Sequence, residues 1–277
     1  IRGDHNSDSL FGGAGGDTIE GGSFHDQIFG GSGDDYIIAG TGIDTLWGDG
    51  GNDYLNAGME SDQVYGGDGD DIIEDPFGDD FLRGEAGDDV IVADLGLDLL
   101  FGGEGQDFIM GVTDTKEVFA GPGNDFILGG SAPDVLLGNE GDDWIEGGTG
   151  NDLLKGGIGN DTYVYNLSDG SDTIIERASG DIGAPDTNLV SFGSGITEND
   201  LVFAIQPNPD FGVQRAETVG TQYVLNVAIA GTGDTIRIFT NGSVEGAISR
   251  FVFADGTFLT IADVVERLST DQADIIV

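Results

Sequence analysis

The sequence predicts an all-β stack of short repeats, a β-solenoid, on three observations. A nine-residue register runs without a gap from Gly3 to Val164, eighteen units in all. The sixth position of the unit is Asp in seventeen of the eighteen, Lys116 being the exception. The eighth position is Ile, Leu or Val in seventeen, Tyr163 being the exception. Self-similarity at a fixed short period marks a stacked architecture, in which no unit buries a hydrophobic face alone.

Each element of the unit has a physical reading. One unit reads Gly30-Gly31-Ser32-Gly33-Asp34-Asp35-Tyr36-Ile37-Ile38, and another Gly156-Gly157-Ile158-Gly159-Asn160-Asp161-Thr162-Tyr163-Val164. Glycines at positions 1, 2 and 4 permit the positive φ angles of a tight turn and a close approach of backbone carbonyls. Asp at position 6 adds a hard oxygen, and carbonyl-plus-carboxylate loops suit calcium, which takes six to eight such ligands. Positions 7 to 9 form a minimal strand with one inward side chain. Stacked units would bury the ladder Leu10, Ile19, Ile28, Ile37, Leu46, Leu55, Val64 and onward.

Composition demands a counter-charge. The 277 residues carry 52 acidic and 9 basic side chains, a formal net charge of −43, yet 38% of residues are hydrophobic. Such self-repulsion opposes a compact state, so the acids must be neutralised if the chain is to fold. The missing basic footprint excludes nucleic acid as a main partner and disfavours an anionic membrane surface. With no cysteine, disulfides and thiolate metal sites are excluded. No apolar run has the length of a membrane span. Ile1 is not a start methionine and no cleavable signal peptide is visible, so the chain is expected to begin inside a longer protein.

The units resemble the GGxGxDxUx nonapeptide of the RTX, or haemolysin-type calcium-binding, family over residues 3–164. The resemblance implies a right-handed parallel β-roll with two nonamers per coil. Turns then alternate between two edges, and each ion lies between turns eighteen residues apart. The first edge begins at Gly12 and keeps Gly at position 4 in all nine turns. Its carboxylates are Asp17, Asp35, Asp53, Asp71, Asp89, Asp107, Asp125, Asp143 and Asp161. With the backbone carbonyls of the glycine-rich turns, they would enclose about eight calcium ions. The second edge begins at Gly3, and its fourth positions include Asn6, Phe24, Glu60, Asp114 and Ala132. Because bulky residues resist positive φ, this edge is expected to bind fewer ions. Its best site is expected between Asp80 and Asp98, with weaker ligands at Asp8, Asp26, Asp44, Asp62, Asp134 and Asp152. Lys116 is expected to abolish binding in its own turn, its ammonium standing in for an ion there.

Position 9 of the second-edge units reads Phe11, Phe29, Trp47, Tyr65, Arg83, Phe101, Phe119, Leu137 and Lys155. This aromatic column fits a stacking ladder better than a platform for a carbohydrate or surface partner. Nothing carries catalysis: the only histidines are His5 and His25, and HExxH, GxSxG and P-loop motifs are absent. Asp75-Pro76 resembles the bond cleaved in self-processing RTX proteins, without the surrounding module of those proteins.

After Val164 the frame slips by two residues, and Asp169-Gly170-Ser171-Asp172-Thr173-Ile174 reads as a last degraded repeat. The predicted domains are therefore a β-roll over 1–164 and a β-rich cap over 165–277. Cap strands are expected near 187–193, 200–206, 222–230, 234–240 and 248–259, with a helix at 261–268 capped by Thr260 and Asp263. Parts of this region resemble the haemolysin-type-related domain that often follows such arrays. The closing Asp274-Ile275-Ile276-Val277 resembles the tail of type I secretion substrates, or else starts another repeat. The family implies a secreted, extracellular or cell-surface bacterial protein whose partners are calcium, upstream domains of the same polypeptide and the type I secretion machinery. A calcium-dependent folding and secretion module is the leading reading. The alternatives are a structural or adhesive segment of a giant surface protein, and a non-catalytic module of a polysaccharide-modifying enzyme.

Overall fold

Position 8 builds the core. Ile19, Ile28, Ile37, Leu46, Leu55, Val64, Ile73, Leu82, Ile91, Leu100, Ile109, Val118 and Ile127 are all fully buried. A computed structural model describes residues 1–176, 187–207, 223–240 and 248–270. The chain folds as two units, Ile1–Val135 and Leu136–Val277, and the expected parallel β-solenoid is found in each.

In the first unit, the strands that follow first-edge turns make one sheet. They run Arg2–His5, Thr18–Ser23, Tyr36–Thr41, Tyr54–Met59, Ile72–Phe77, Val90–Leu95, Phe108–Gly111 and Phe126–Gly130. The other sheet runs from Ser9–Ala14 to Lys116–Pro122. Pairing is parallel with an eighteen-residue register, as in Ile73↔Ile91 and Ile91↔Ile109. Two nonamers therefore close one coil, and like residues stack on like. Outside the sheets the same register stacks aromatic rings. Phe11 and Phe29 lie 4.8 Å apart and nearly parallel, Phe29 and Trp47 4.4 Å, and Phe101 and Phe119 5.1 Å. Arg83 interrupts the column. Phe81, two residues earlier, fills the gap by tilting between Tyr65 and Phe101 at 5.7 and 5.4 Å.

The second unit extends the same logic past the regular repeats. Ser171–Glu176 pairs in parallel with Leu153–Ile158 on one side and Thr235–Thr240 on the other. Leu189–Phe192 likewise joins Thr162–Tyr165 to Arg250–Val252. Both ladders then turn antiparallel. Tyr223–Ile229 pairs with Thr235–Thr240 and with Leu201–Pro207, and Arg250–Val252 pairs with Phe258–Thr260. The single strand expected over 248–259 is thus a hairpin. Its turn is made by Asp255-Gly256, where Gly256 has φ +85° and Asp255 accepts a hydrogen bond from the Thr257 N–H at 2.9 Å. Helix Ile261–Thr270 opens on a capping box, the Thr260 N–H donating to Asp263 Oδ2 at 2.8 Å and the Asp263 N–H to Thr260 Oγ1 at 3.3 Å. The tail Asp274–Val277 lies outside the described residues.

The ladder sets a stability expectation. Ile91→Ala empties a fully buried position between Ile73 and Ile109. It should cost about 2–5 kcal/mol, read as a lowered urea midpoint in saturating calcium. A change within about 0.5 kcal/mol, the range of a surface substitution, would contradict the stacked core.

Candidate metal-binding turns

The position-6 aspartate is placed by two backbone contacts. Its carbonyl accepts the N–H of position 7 one coil later, as from Tyr36 to Asp17 and Tyr54 to Asp35, both at 2.9 Å. Its Oδ1 accepts the N–H of the position-6 residue one coil earlier. Asp8 donates to Asp26 at 2.8 Å, Asp35 to Asp53 at 2.7 Å and Asp71 to Asp89 at 2.8 Å. The carboxylate is therefore a staple between coils, which explains the residue type whether or not an ion binds.

The staple uses one oxygen. In Asp8, Asp26, Asp35, Asp44, Asp53, Asp62, Asp71, Asp80, Asp89 and Asp107 the other, Oδ2, is buried with no hydrogen-bond partner. A buried anionic oxygen without a donor is costly unless a cation meets it. The turn offers carbonyls to the same space. A β-carbon at Gly87 would lie 2.0 Å from Gly69 O, and one at Gly105 1.9 Å from Gly87 O, so carbonyls of one turn crowd the next. An oxygen-only donor set of this kind fits calcium.

Lys116 shows what these acceptors hold. Its ammonium lies 2.7 Å from Asp94 O, 2.9 Å from Gly96 O and 2.8 Å from Asp98 Oδ2, and its side chain and that of Asp98 are fully buried. These are positions 2, 4 and 6 of the preceding second-edge turn. The ammonium is expected in Lys116's own turn; it lies instead on the acceptors of the turn before it.

The remaining predicted ligands occupy the same role. Asp17 is only partly buried, and its N–H reaches Asp35 Oδ1 at 2.7 Å. Asp125 and Asp134 are buried, accepting from the N–H groups of Asp107 and Lys116 at 2.9 and 2.7 Å. In the second unit Asp143, Asp152 and Asp161 are buried, and Asp143 donates to Asp161 Oδ1 at 3.0 Å. Two residues absent from the predicted ligand set continue the staple. Asp152 donates to Asp172 Oδ1 at 3.0 Å, and Asp161 to Asn188 Oδ1 at 2.7 Å. The signal in the sequence is an Asp or Asn two residues before Ile174 or Val190. It is displaced by insertions that break the nine-residue frame.

The backbone premise for a degenerate second edge fails at three turns. Asn6, Phe24 and Glu60 adopt φ of +124°, +78° and +73°, so the left-handed turn forms without glycine. Repetition of the flanking strands holds these residues where a free turn would not. The second edge instead departs locally. Positive φ at position 2 runs through Asp4, Gly22, Gly40, Gly58, Gly130 and Gly148 but not Pro76, Asp94 or Val112. Around this stretch Asp75, Asp80 and Asp98 bring carboxylate oxygens within 4.8 Å of one another.

Burial raises the carboxylates on both edges. Asp62 and Asp89 are pushed up to about 8, Asp71 to about 7, and Asp44, Asp53 and Asp107 to about 6. Desolvation is the leading cause, opposed by the N–H of the staple. Asp75 is pushed up to about 9 by burial and then by its hydrogen bond with Asp80.

Comparison with known proteins agrees with this geometry. The model of the RTX calcium-binding nonapeptide repeat (4 copies) matches residues 1–28, 11–46, 29–64, 47–74, 77–109, 117–136, 128–163 and 137–174, more than half of the chain. The haemolysin-type calcium binding protein related domain matches residues 225–263. No curated protein matches the chain. Among solved structures, extracellular lipase LipA from Serratia marcescens matches at 18% identity and a TM-score of 0.24. The match covers 67% of this chain and 38% of the lipase.

The raised carboxylates fix the sign of a pH dependence. A folded-state value above the unfolded one, about 4, means that the ion-free fold binds more protons than the open chain. Its stability is greatest below about pH 4 and is lost as pH rises through the values near 6 to 8. In calcium-free buffer, acidification from pH 8 to 5 should therefore increase β-structure by circular dichroism. Ordering that instead grows as pH rises would contradict the burial of these groups.

Proposed function

Because the chain belongs to the RTX calcium-binding nonapeptide repeat family, we propose that it is a calcium-driven folding and secretion module of a larger exported protein. Repeat domains of this family are generally non-catalytic structural modules, and the family is typically exported by type I secretion. Among the described residues no helix is long and apolar enough to cross a membrane. The observation that carries the proposal is the row of buried, donor-less Oδ2 atoms in a chain of net charge −43.

Those oxygens and the turn carbonyls would hold the ions. Calcium, when bound, supplies the positive charge that the chain lacks. Without it the aspartates repel one another, and the chain stays extended in a compartment where calcium is scarce, a form suited to passage through an export channel. Outside, calcium exceeds the dissociation constants of about 0.1–1 mM typical of extracellular modules, so binding free energy becomes folding free energy. About eight ions belong to the first edge, between Asp17 and Asp161, and fewer to the second, where Lys116 occupies one position. Residues 165–277 cap the roll, in keeping with strands that leave the parallel ladders for antiparallel partners.

A second reading, a segment of a surface adhesin, draws on one observation. Phe24, Ile43, Met59, Phe77, Leu95 and Leu97 are exposed on second-edge turns, an apolar row of the kind that contacts a partner.

Calcium titration followed by circular dichroism, with metal counting on the folded form, tests the proposal. Coil-like spectra without calcium and a bound count near eight to ten are expected. A chelator-stripped sample that keeps a cooperative native state would falsify calcium-driven folding, and a count near sixteen would remove the asymmetry between edges.

A further inference from the structure

The first position of the repeat faces the ion-binding space. A β-carbon at Gly30, Gly48, Gly66 or Gly84 would lie 2.5, 2.4, 2.4 or 2.1 Å from Oδ2 of the aspartate in its own turn. In seventeen of the eighteen units this position is Gly or Ala; in the other it is Asp75. Its side chain therefore grows toward the oxygen that the neighbouring turns leave for a cation. Asp75, Asp80 and Asp98 are 2%, 3% and 3% exposed. Oδ2 of Asp75 and of Asp80 is buried without an N–H donor, and the two carboxyls meet each other there.

An independent observation points to a cation here. The turn that carries Asp98 already holds one, the Lys116 ammonium, on Asp94 O, Gly96 O and Asp98 Oδ2. Fully ionised, three carboxylates against one ammonium leave two negative charges in a buried space. Without an ion Asp75 and Asp80 relieve them only by sharing a hydrogen-bonded proton, whereas a divalent cation cancels both.

We propose that Asp75 adds a third side-chain ligand to the divalent-cation site expected between Asp80 and Asp98, setting it apart from the other repeating sites, with Lys116 closing its far side. The inference rests on the family-level reading that these turns bind calcium. Anionic ligand count is a main determinant of calcium affinity in oxygen sites, so this site holds its ion more tightly than positions that offer one aspartate per turn. Lys116 makes the junction before it independent of calcium, leaving one stretch of the second edge ordered at calcium levels that empty the rest.

The test is a calcium-binding isotherm over chelator-buffered free calcium, with metal counting, on the whole chain. Wild type should retain one ion per chain at free calcium roughly tenfold or more below the level that releases the others. Asp75→Ala should lose that tight class while keeping the calcium-induced β transition, since Ala already stands at first positions 39, 57, 93 and 120. Asp75→Asn, which keeps the volume and removes the charge, should weaken it. A wild-type isotherm with bound calcium but no tight class overturns the inference and leaves the family reading standing, as does an unchanged tight ion in both variants. No calcium uptake at all would instead remove the family reading itself. Should Asp75→Ala not refold, the reverse substitution decides. Ala57→Asp sets a first-position carboxylate beside Asp62 and should raise the tight count from one to two, and an unchanged count overturns the inference.

Discussion

The fold depends on how each position-6 aspartate divides its two oxygens. Oδ1 is committed to the backbone of the previous coil, for example from Asp44 to Asp62 and from Asp89 to Asp107 at 2.7 and 2.9 Å. This fixes the carboxylate inside the turn and with it the orientation of Oδ2. The structural role thus forces the electrostatic problem. An aspartate that joins two coils must bury a charge, and seventeen of eighteen units repeat the choice. Replacing Asp by Asn would keep one acceptor and remove the charge. Asn188, at the end of the staple row, shows that the backbone contact alone accepts this.

Magnitudes decide whether the core can bear that charge unaided. A buried Ile or Leu contributes about 1.5–3 kcal/mol. Two carboxylates one coil apart, about 5 Å, repel by roughly 3 kcal/mol at an effective dielectric of about 20. Each coil adds two apolar residues to the ladder and two carboxylates to the edges, so the two contributions nearly cancel. The nine-residue unit is too small to bury more, because position 8 is the one fully inward position with a large apolar side chain and position 1 holds Gly or Ala in all but one unit. Stability must come from the edges.

Much of this was legible because repetition converts spacing into geometry. The register of Ile73, Ile91 and Ile109 and the identity of the position-6 acids follow from the nine-residue period, and the coil pairing from its doubling. The capping box at Thr260 and Asp263 was legible for the same local reason, an interaction spanning three residues. What escaped depends on context beyond the period. Asp172 was legible as part of a degraded repeat but not as a continuation of the staple, and Asn188 was hidden, because their partners lie twenty and twenty-seven residues away instead of eighteen. Phe24 and Glu60 take positive φ against their intrinsic preference because strands on both sides of the turn are already paired. Asp75 reads as half of an Asp-Pro dipeptide in the sequence; only the stacked turn places it against Asp80 and Asp98.

The two edges differ less by glycine content than by one short stretch of sequence. From Asp75 to Lys116 the second edge replaces a first-position glycine by a carboxylate, a position-2 glycine by Pro76, Asp94 or Val112, and a position-6 acid by an ammonium. Each change alone would damage a turn: an extra buried charge, a lost left-handed residue, a lost staple. Together they compensate. Lys116 still donates its N–H to Asp134 at 2.7 Å, so the backbone staple survives on that side. Its ammonium takes the carbonyls of Asp94 and Gly96, and Thr113 Oγ1 donates to Asp94 O and to Asp94 Oδ1, both at 3.1 Å, so the altered turn keeps its polar groups paired. Regular turns must draw their positive charge from solution. This stretch carries one of its own, and in a chain with nine basic residues among 277 the burial of one of them here is the clearest departure from the repeat.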